Sequence, residues 1–161
     1  MEYFIAKKPS IHVTLVSHEG FLQGSSLSLS SDRPGFYLEW NDDNLSDNLL
    51  STFKQWLNDY AQKKSASLSL PLDYSFFPPF TSAVLSHLLT LSFGNATTYG
   101  TIAEILNKKK GARAVGNACG ANPFPLFIPC HRVLGKGHTL GGFSCGLEIK
   151  KELLHFENLK I

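Results

Sequence analysis

Over the first forty residues apolar side chains recur at every second position, and from Leu45 they recur at every third or fourth. That change of period divides the first half of the chain into strands followed by one helix. Ile11, Val13 and Leu15 share one strand face and Phe36, Leu38 and Trp40 another, with Gly20, Gly24 and Pro34-Gly35 as punctuation. The pattern predicts an antiparallel meander. Leu45, Leu49, Phe53, Trp56, Leu57 and Tyr60 then mark one face of an amphipathic helix with Ser46 as N-cap, expected to lie on the sheet. His12 and His18 read as ordinary strand or surface residues. A polar, then proline-rich stretch from Ser65 to Pro79 reads as the connection between two lobes, 1–78 and 79–161.

The second lobe reads as mostly helical, which makes the chain α+β. Thr81 is the expected N-cap of a packing helix with an apolar stripe of Val84, Leu85, Leu88, Leu89 and Leu91, stopped by Gly94. His87, on the opposite face, is expected in solvent. Two short helices follow, Tyr99 to Leu106 and Gly111 to Cys119, separated by Asn107-Lys108-Lys109-Lys110. This is a helix-turn-helix pattern, whose second helix is the usual nucleic-acid reader. Here that helix is built of Gly, Ala and Val with Arg113 as its long polar side chain, too small to read many base edges but able to approach a minor groove closely. Lys108 to Lys110 read as a solvated loop, with phosphate contact the alternative. Gly120 to Pro123 turns the chain, glycines 135, 137, 141 and 142 suggest a flexible loop, and a helix from Gly146 to Glu157 buries Ile149, Leu153 and Phe156.

Between these elements lies Ile128-Pro129-Cys130-His131-Arg132-Val133. A thiol of ordinary acidity is only a few per cent thiolate at neutral pH, and an adjacent imidazole raises that fraction. Pro129 removes a donor and biases Ile128 towards extended backbone, so the pair would be presented from a fixed turn. A buried structural cysteine is the competing reading.

Cys119, Cys130 and Cys145 are the three cysteines, an odd count at irregular spacing without Cys-x-x-Cys, which argues against a disulfide framework and for a reducing compartment. No basic-then-apolar leader is seen at Met1 to Phe4 and no apolar run approaches a membrane span, so a cytoplasmic protein is expected. The net charge of +2 is asymmetric: residues 1–78 hold six basic and nine acidic side chains, residues 79–161 nine and four. A basic half carrying the Cys-His pair suits a polyanionic partner.

Phe80-Thr81 with Val84-Leu85, Thr98-Tyr99-Gly100-x-Ile102-Ala103, Arg113-Ala114-Val115-Gly116, Asn122-Pro123, Pro129-Cys130-His131-Arg132-Val133 and Gly141-Gly142-Phe143 occur in this order. Over roughly residues 79 to 157 the chain resembles the O6-alkylguanine-DNA alkyltransferase family, repair proteins that move an alkyl group from guanine to their own cysteine; the N-terminal half matches loosely. The resemblance implies a ribonuclease H-like N-terminal support lobe and a winged-helix-like C-terminal lobe. It implies double-stranded DNA carrying O6-alkylguanine as partner, O4-alkylthymine as a further candidate substrate, a monomer and no cofactor. Some relatives carry a structural zinc in the N-terminal domain, but His12 and His18 are the only candidate ligands there, so no metal is expected.

By the same resemblance Cys130 is the alkyl acceptor, His131 takes its proton directly or through one water, Glu157 orients the imidazole, and Asn122 holds the turn. Arg113 enters the stack vacated by the flipped nucleotide and Tyr99 turns its phosphate, with Thr98, Ala112 and Gly116 also at the DNA. The pocket is formed by Val133, Phe143, Ser144, Cys145 and Lys150; the carbonyls of Cys130 and Val133 accept from the guanine amino group and the Ser144 amide lies near O6. Two positions depart from the family. Phe143 stands where most relatives have tyrosine, which removes a donor to the departing oxygen and predicts slower transfer. Cys145 reads as a packing residue at the rim. The rival functions are a non-enzymatic damaged-DNA binder, a cysteine hydrolase and a sequence-specific regulator.

Overall fold

The computed structural model describes residues 2–5, 9–31, 34–42, 44–64 and 70–160, and for 2–5 the backbone alone. Two compact units, Met1–Leu72 and Asp73–Ile161, make up an α+β chain.

The first unit is a four-stranded sheet with one helix. Its strands are β1 (Glu2–Ile5), β2 (Ser10–His18), β3 (Phe21–Leu29) and β4 (Gly35–Trp40), in the order β1-β4-β2-β3. β2 and β3 form a hairpin closed by Glu19 and Gly20, both at positive φ, the conformation a two-residue hairpin turn requires. The predicted meander is corrected here. β4 does not follow β3 at an antiparallel edge; it lies between β1 and β2, antiparallel to the first and parallel to the second. The reason is in its side chains: Tyr37 is buried as well as Phe36, Leu38 and Trp40, and a strand apolar on both faces belongs in the interior of a sheet.

Ile11, Val13 and Leu15 form the core beneath helix α1 (Asp47–Ala61). Ser46 caps α1, its hydroxyl accepting from Leu49 N at 3.3 Å. Leu45 and Leu50 are both buried at the two positions of a hydrophobic staple, so Leu50 takes the core place expected of half-buried Leu49. Of the connection expected at 65–79, residues 65–69 lie outside the described residues; so does Met1.

The second unit holds α2 (Pro79–Leu88), β5 (Thr97–Thr98), α3 (Tyr99–Ile105), α4 (Ala112–Gly120), a 3-10 turn (Cys130–Arg132), β6 (Val133–Leu134) and α5 (Leu147–Phe156). Thr81 is not the cap of α2: the helix begins at Pro79, whose restricted φ suits the first helical position, after Pro78. Nor does Gly94 stop it. α2 ends at Leu88, tightened by Thr90 N and Oγ1 donating to His87 O, which leaves Leu89 exposed; His87 is half-buried rather than in solvent. In α5 the buried positions are Ile149, Lys150, Leu153 and Leu154, while Phe156 is half-buried against the edge of Phe93.

A two-residue parallel ladder, Thr97 with Val133 and Thr98 with Leu134, positions the site. It places the start of α3 beside the chain leaving the Cys130 turn. Thr98 also caps α3, accepting from Thr101 N at 3.1 Å. No helix of the described residues is long and apolar enough to cross a membrane.

Candidate active site

Cys130 is presented by a succession of tight turns. Leu126 adopts φ 76°, Ile128 N donates to Phe124 O at 2.8 Å, and Cys130 N donates back to Ile128 O at 2.8 Å around Pro129 at φ −81°, ψ 61°. That is close to an inverse γ-turn, and proline supplies the required φ without entropy to lose. Asn122 ties the succession together. Its Oδ1 accepts from Phe124 N at 3.0 Å, and its Nδ2 donates to Ile128 O at 2.8 Å and to Cys130 Sγ at 3.0 Å. All three bonds are buried, where an unmatched partner is costly.

His131 is fully buried, with Nε2 at 2.8 Å from Glu157 Oε1. Glu157 closes α5, where a negative charge opposes the helix dipole, and Arg132 compensates it. Arg132 Nε donates to Oε2 and Nη2 to Oε1, both at 2.8 Å, while Nη1 donates to Leu91 O at 2.6 Å. Gly94, at φ 74°, turns its N–H onto Oε2 at 3.0 Å. Burial would raise the Glu157 carboxyl, but hydrogen bonds and charge from His131 and Arg132 outweigh it and hold it far below the ordinary range. A carboxylate only accepts, so Nε2 carries the shared hydrogen and the neutral ring offers a lone pair at Nδ1. Nδ1 is buried and has no hydrogen-bond partner in the structure. Burial, together with the charges of Arg132 and Lys150, depresses the His131 pKa against the bond and charge of Glu157 that raise it, favouring that neutral ring.

Cys130 is 3% exposed yet lines a cavity of about 370 Å³ together with Tyr99, Ala112, Arg113, Gly116, Phe143 and Ser144, with Asn117, Cys119, Gly120 and Gly142 completing the wall. Arg113 is exposed on the first turn of α4. Tyr99 OH donates to Gly142 O at 3.2 Å, and Gly141 at φ 64° passes so close to the ring that a Cβ there would meet Tyr99 Cε2 at 2.8 Å. Lys150, also fully buried, donates from Nζ to Val133 O at 2.6 Å and Gly142 O at 3.2 Å. Burial pushes the Cys130 thiol up to about 11, against the lowering donor from Asn122. It pushes Cys119 and Tyr99 up to about 12 and Lys150 down to about 8.

Of the residues expected at the site, Tyr99, Ala112, Arg113, Gly116, Cys130, Phe143 and Ser144 line the cavity, Asn122 donates to the sulfur, and His131, next in the chain, is bonded to Glu157 with no hydrogen bond from Nδ1 to the sulfur among the described residues. Thr98, Val133, Cys145 and Lys150 are not on the wall. The carbonyls of Cys130 and Val133 are already engaged, by Val133 N and Lys150 Nζ, each keeping one lone-pair direction for a further donor. Half-buried Cys145 is near enough for its charge to act on Cys130. Sequence reasoning missed Arg132, Gly94 and Cys119. Arg132 was findable, since a buried carboxylate beside a histidine needs a cation. Among the described residues no group of three or more His, Cys, Asp or Glu side chains could hold a metal ion.

Residues 79–159 match the family model described as 6-O-methylguanine DNA methyltransferase, DNA binding domain. A methylated-DNA–protein-cysteine methyltransferase of Haemophilus influenzae is 46% identical over 80 residues, 50% of this chain and 45% of that one. The inducible methyltransferase of the same name from Bacillus subtilis is 36% identical over 77% of this chain and 66% of its own. The chain spans about half the length of the first of the curated relatives it matches. The crystal structure of Mycobacterium tuberculosis OGT in complex with DNA superposes with TM-score 0.67 at 28% identity, covering 91% of this chain and 92% of that one.

Proposed function

The chain belongs to the 6-O-methylguanine DNA methyltransferase family, and on that footing we propose that it repairs DNA by moving the alkyl group of O6-alkylguanine onto its own Cys130, once per molecule. The observation that carries this reading is Cys130 itself, held by a rigid turn at the wall of a cavity with the amide donor of Asn122 on its sulfur and the Glu157-bonded imidazole of His131 next in the chain.

Guanine O6 lies at a paired edge, so the nucleotide must leave the stack to reach the cavity. Arg113, exposed at the mouth on a helix of small residues, is suited to fill the gap with a planar cation. Ala112 and Gly116 let the backbone approach the minor groove, and the bulky Tyr99 crowds the phosphate, with Thr98 beside it. The DNA complex of the Mycobacterium relative supports the same partner here.

With its thiol near 11, deprotonating Cys130 at pH 7 costs about 5 kcal/mol, so the sulfur waits as a thiol. As it attacks, the S–H proton passes to His131 Nδ1, directly or through one water, and Glu157 stabilises the imidazolium. The S–C bond forms as the C–O6 bond breaks, and the guanine anion takes up one proton from water as the imidazolium returns the thiol's proton to solvent, so His131 ends neutral. The thioether resists water, which ends the molecule's activity. Phe143 offers no hydroxyl to the departing oxygen, leaving that task to the Ser144 amide.

The first unit reads as a ribonuclease H-like support domain and the second as a winged-helix-like DNA-binding domain, with the division at 72/73 rather than the expected 78/79 because the carbonyls of Tyr74 and Phe77 accept from Ser82 of α2; the helical pair α3–α4 and the β5–β6 ladder support the second reading. A thiol acceptor requires a reducing compartment, so we place the protein in the cytoplasm, as a monomer. Intact mass before and after incubation with duplex DNA containing O6-methylguanine tests the reaction. The expected result is a gain of one CH2 confined to the peptide holding Cys130. Binding without any gain would make the protein a passive damage binder, and turnover of esters or peptides a hydrolase.

A further inference from the structure

Arg132 has no part in the chemistry described above, yet all three of its guanidinium nitrogens are hydrogen-bonded within the site. Its guanidinium is 6% exposed and spends Nε and Nη2 on the Glu157 carboxylate and Nη1 on Leu91 O. With His131 Nε2 on Oε1 and Gly94 N on Oε2, both carboxylate oxygens have their in-plane positions filled.

The charges decide what this does to the imidazole. Arginine stays cationic under all conditions in a protein. Glu157 and Arg132 together are therefore neutral, and a neutral His131 leaves the buried cluster uncharged. An imidazolium would make it +1, with Lys150 as a further cation facing it from α5. Without Arg132 the balance reverses, because a lone buried carboxylate at 2.8 Å is neutralised by an imidazolium. The proton would then occupy Nδ1 in the resting protein, and no base would remain for the thiol.

Resting on the alkyl-transfer reading, we propose that Arg132 is a positioning residue: it pins Glu157 as a fully engaged carboxylate and, by cancelling that charge, keeps His131 as the neutral Nε2–H tautomer with Nδ1 open to the Cys130 proton. The charged groups that act on His131 are Glu157 at the end of α5, Lys150 within it and Arg132 from its own turn, where Cys130 is the preceding residue; Leu91 O and Gly94 N, on the segment after α2, carry no titratable charge.

The test is heteronuclear NMR of 15N-histidine protein from pH 5.5 to 9, without DNA, on wild type, Arg132→Lys and Arg132→Met, alongside single-turnover alkyl transfer over the same range. In wild type His131 should remain neutral with hydrogen on Nε2. Arg132→Lys keeps the charge and should keep that tautomer while slowing transfer through looser geometry. Arg132→Met should raise the His131 pKa by about one to three units, and its transfer rate should fall towards low pH and recover as the ring deprotonates. A wild-type His131 that is cationic at neutral pH, or carries its hydrogen on Nδ1, overturns the proposal without any variant having to fold. So does an Arg132→Met protein whose His131 titrates as in wild type while transfer is lost equally at every pH. If wild type gains no alkyl group yet His131 stays neutral in the Nε2–H form, the repair reading fails and the electrostatic role stands.

Discussion

Replacing Asn122 by alanine should be among the most damaging single changes available to this fold outside its apolar core. The side chain satisfies Phe124 N, Ile128 O and the Cys130 sulfur, all buried. Asn122→Ala strands one buried backbone donor, Phe124 N, while Ile128 O keeps the bond from Cys130 N, so the cost is about 1–3 kcal/mol. Against a typical domain stability of about 5–15 kcal/mol that is a large fraction. The same substitution removes the donor that lowers the Cys130 thiol, which should move upward from about 11 by roughly one unit. Two assays separate these effects: urea unfolding at pH 7, and carboxamidomethylation of Cys130 by iodoacetamide against pH, followed by peptide mapping to keep half-buried Cys145 apart from it. Asn122→Asp is the informative companion. It retains the acceptor for Phe124 N but places a carboxylate against the sulfur, so it should displace the alkylation profile further than alanine does. Unfolding free energy changed by less than about 0.5 kcal/mol, with an unmoved alkylation profile, would show that the amide does not hold the turn.

Phe143→Tyr adds a hydroxyl at the cavity wall and should accelerate methyl transfer on the order of a hundredfold in single-turnover kinetics, the lower end of the range lost on removing one such donor. Arg113→Ala should abolish transfer from duplex DNA yet leave transfer from free O6-alkylguanine base within about twofold, since extrusion and chemistry use different residues; equal losses on both substrates would refute that division. Glu157 is held below its unfolded value near 4.5, so its stabilisation is present above that pH and is lost as pH falls through the lower folded value. Acid unfolding of wild type should therefore steepen below about pH 4.5. Glu157→Gln should flatten that limb while costing about 3–5 kcal/mol at pH 7, because it leaves Arg132 buried without its anion.

What was legible in the sequence follows the distance along the chain over which each feature is decided. α1 was legible because its cap and its apolar face are set by neighbours three and four residues apart, and α3 and α4 for the same reason. The start of α2 was misplaced although its signals are local, since Thr81 and Pro79 compete within one turn and the proline's restricted φ prevails. The sheet was misread for a different cause. Alternation says which face a residue takes but not which strand lies beside it, and β4 pairs with β1 and β2 rather than with its neighbour in sequence, β3.

The same rule runs through the site. Asn122 reaches its partners two, six and eight residues away, and the turn it builds could be read from Asn122-Pro123 and Pro129-Cys130 alone. His131 meets Glu157 across 26 residues, Tyr99 meets Gly142 across 43 and Gly94 meets Glu157 across 63, and nothing local announces those encounters. Family resemblance carries part of that long-range pairing, because the ordered motifs of the family bring those residues together. Gly94 shows the limit of local reading: its positive φ looks like a helix stop, whereas its N–H serves a carboxylate far along the chain. Arg132 shows what charge bookkeeping can recover. A glutamate that must be ionised, buried and bonded to a histidine demands a cation, and the arginine next to that histidine is the one placed to supply it.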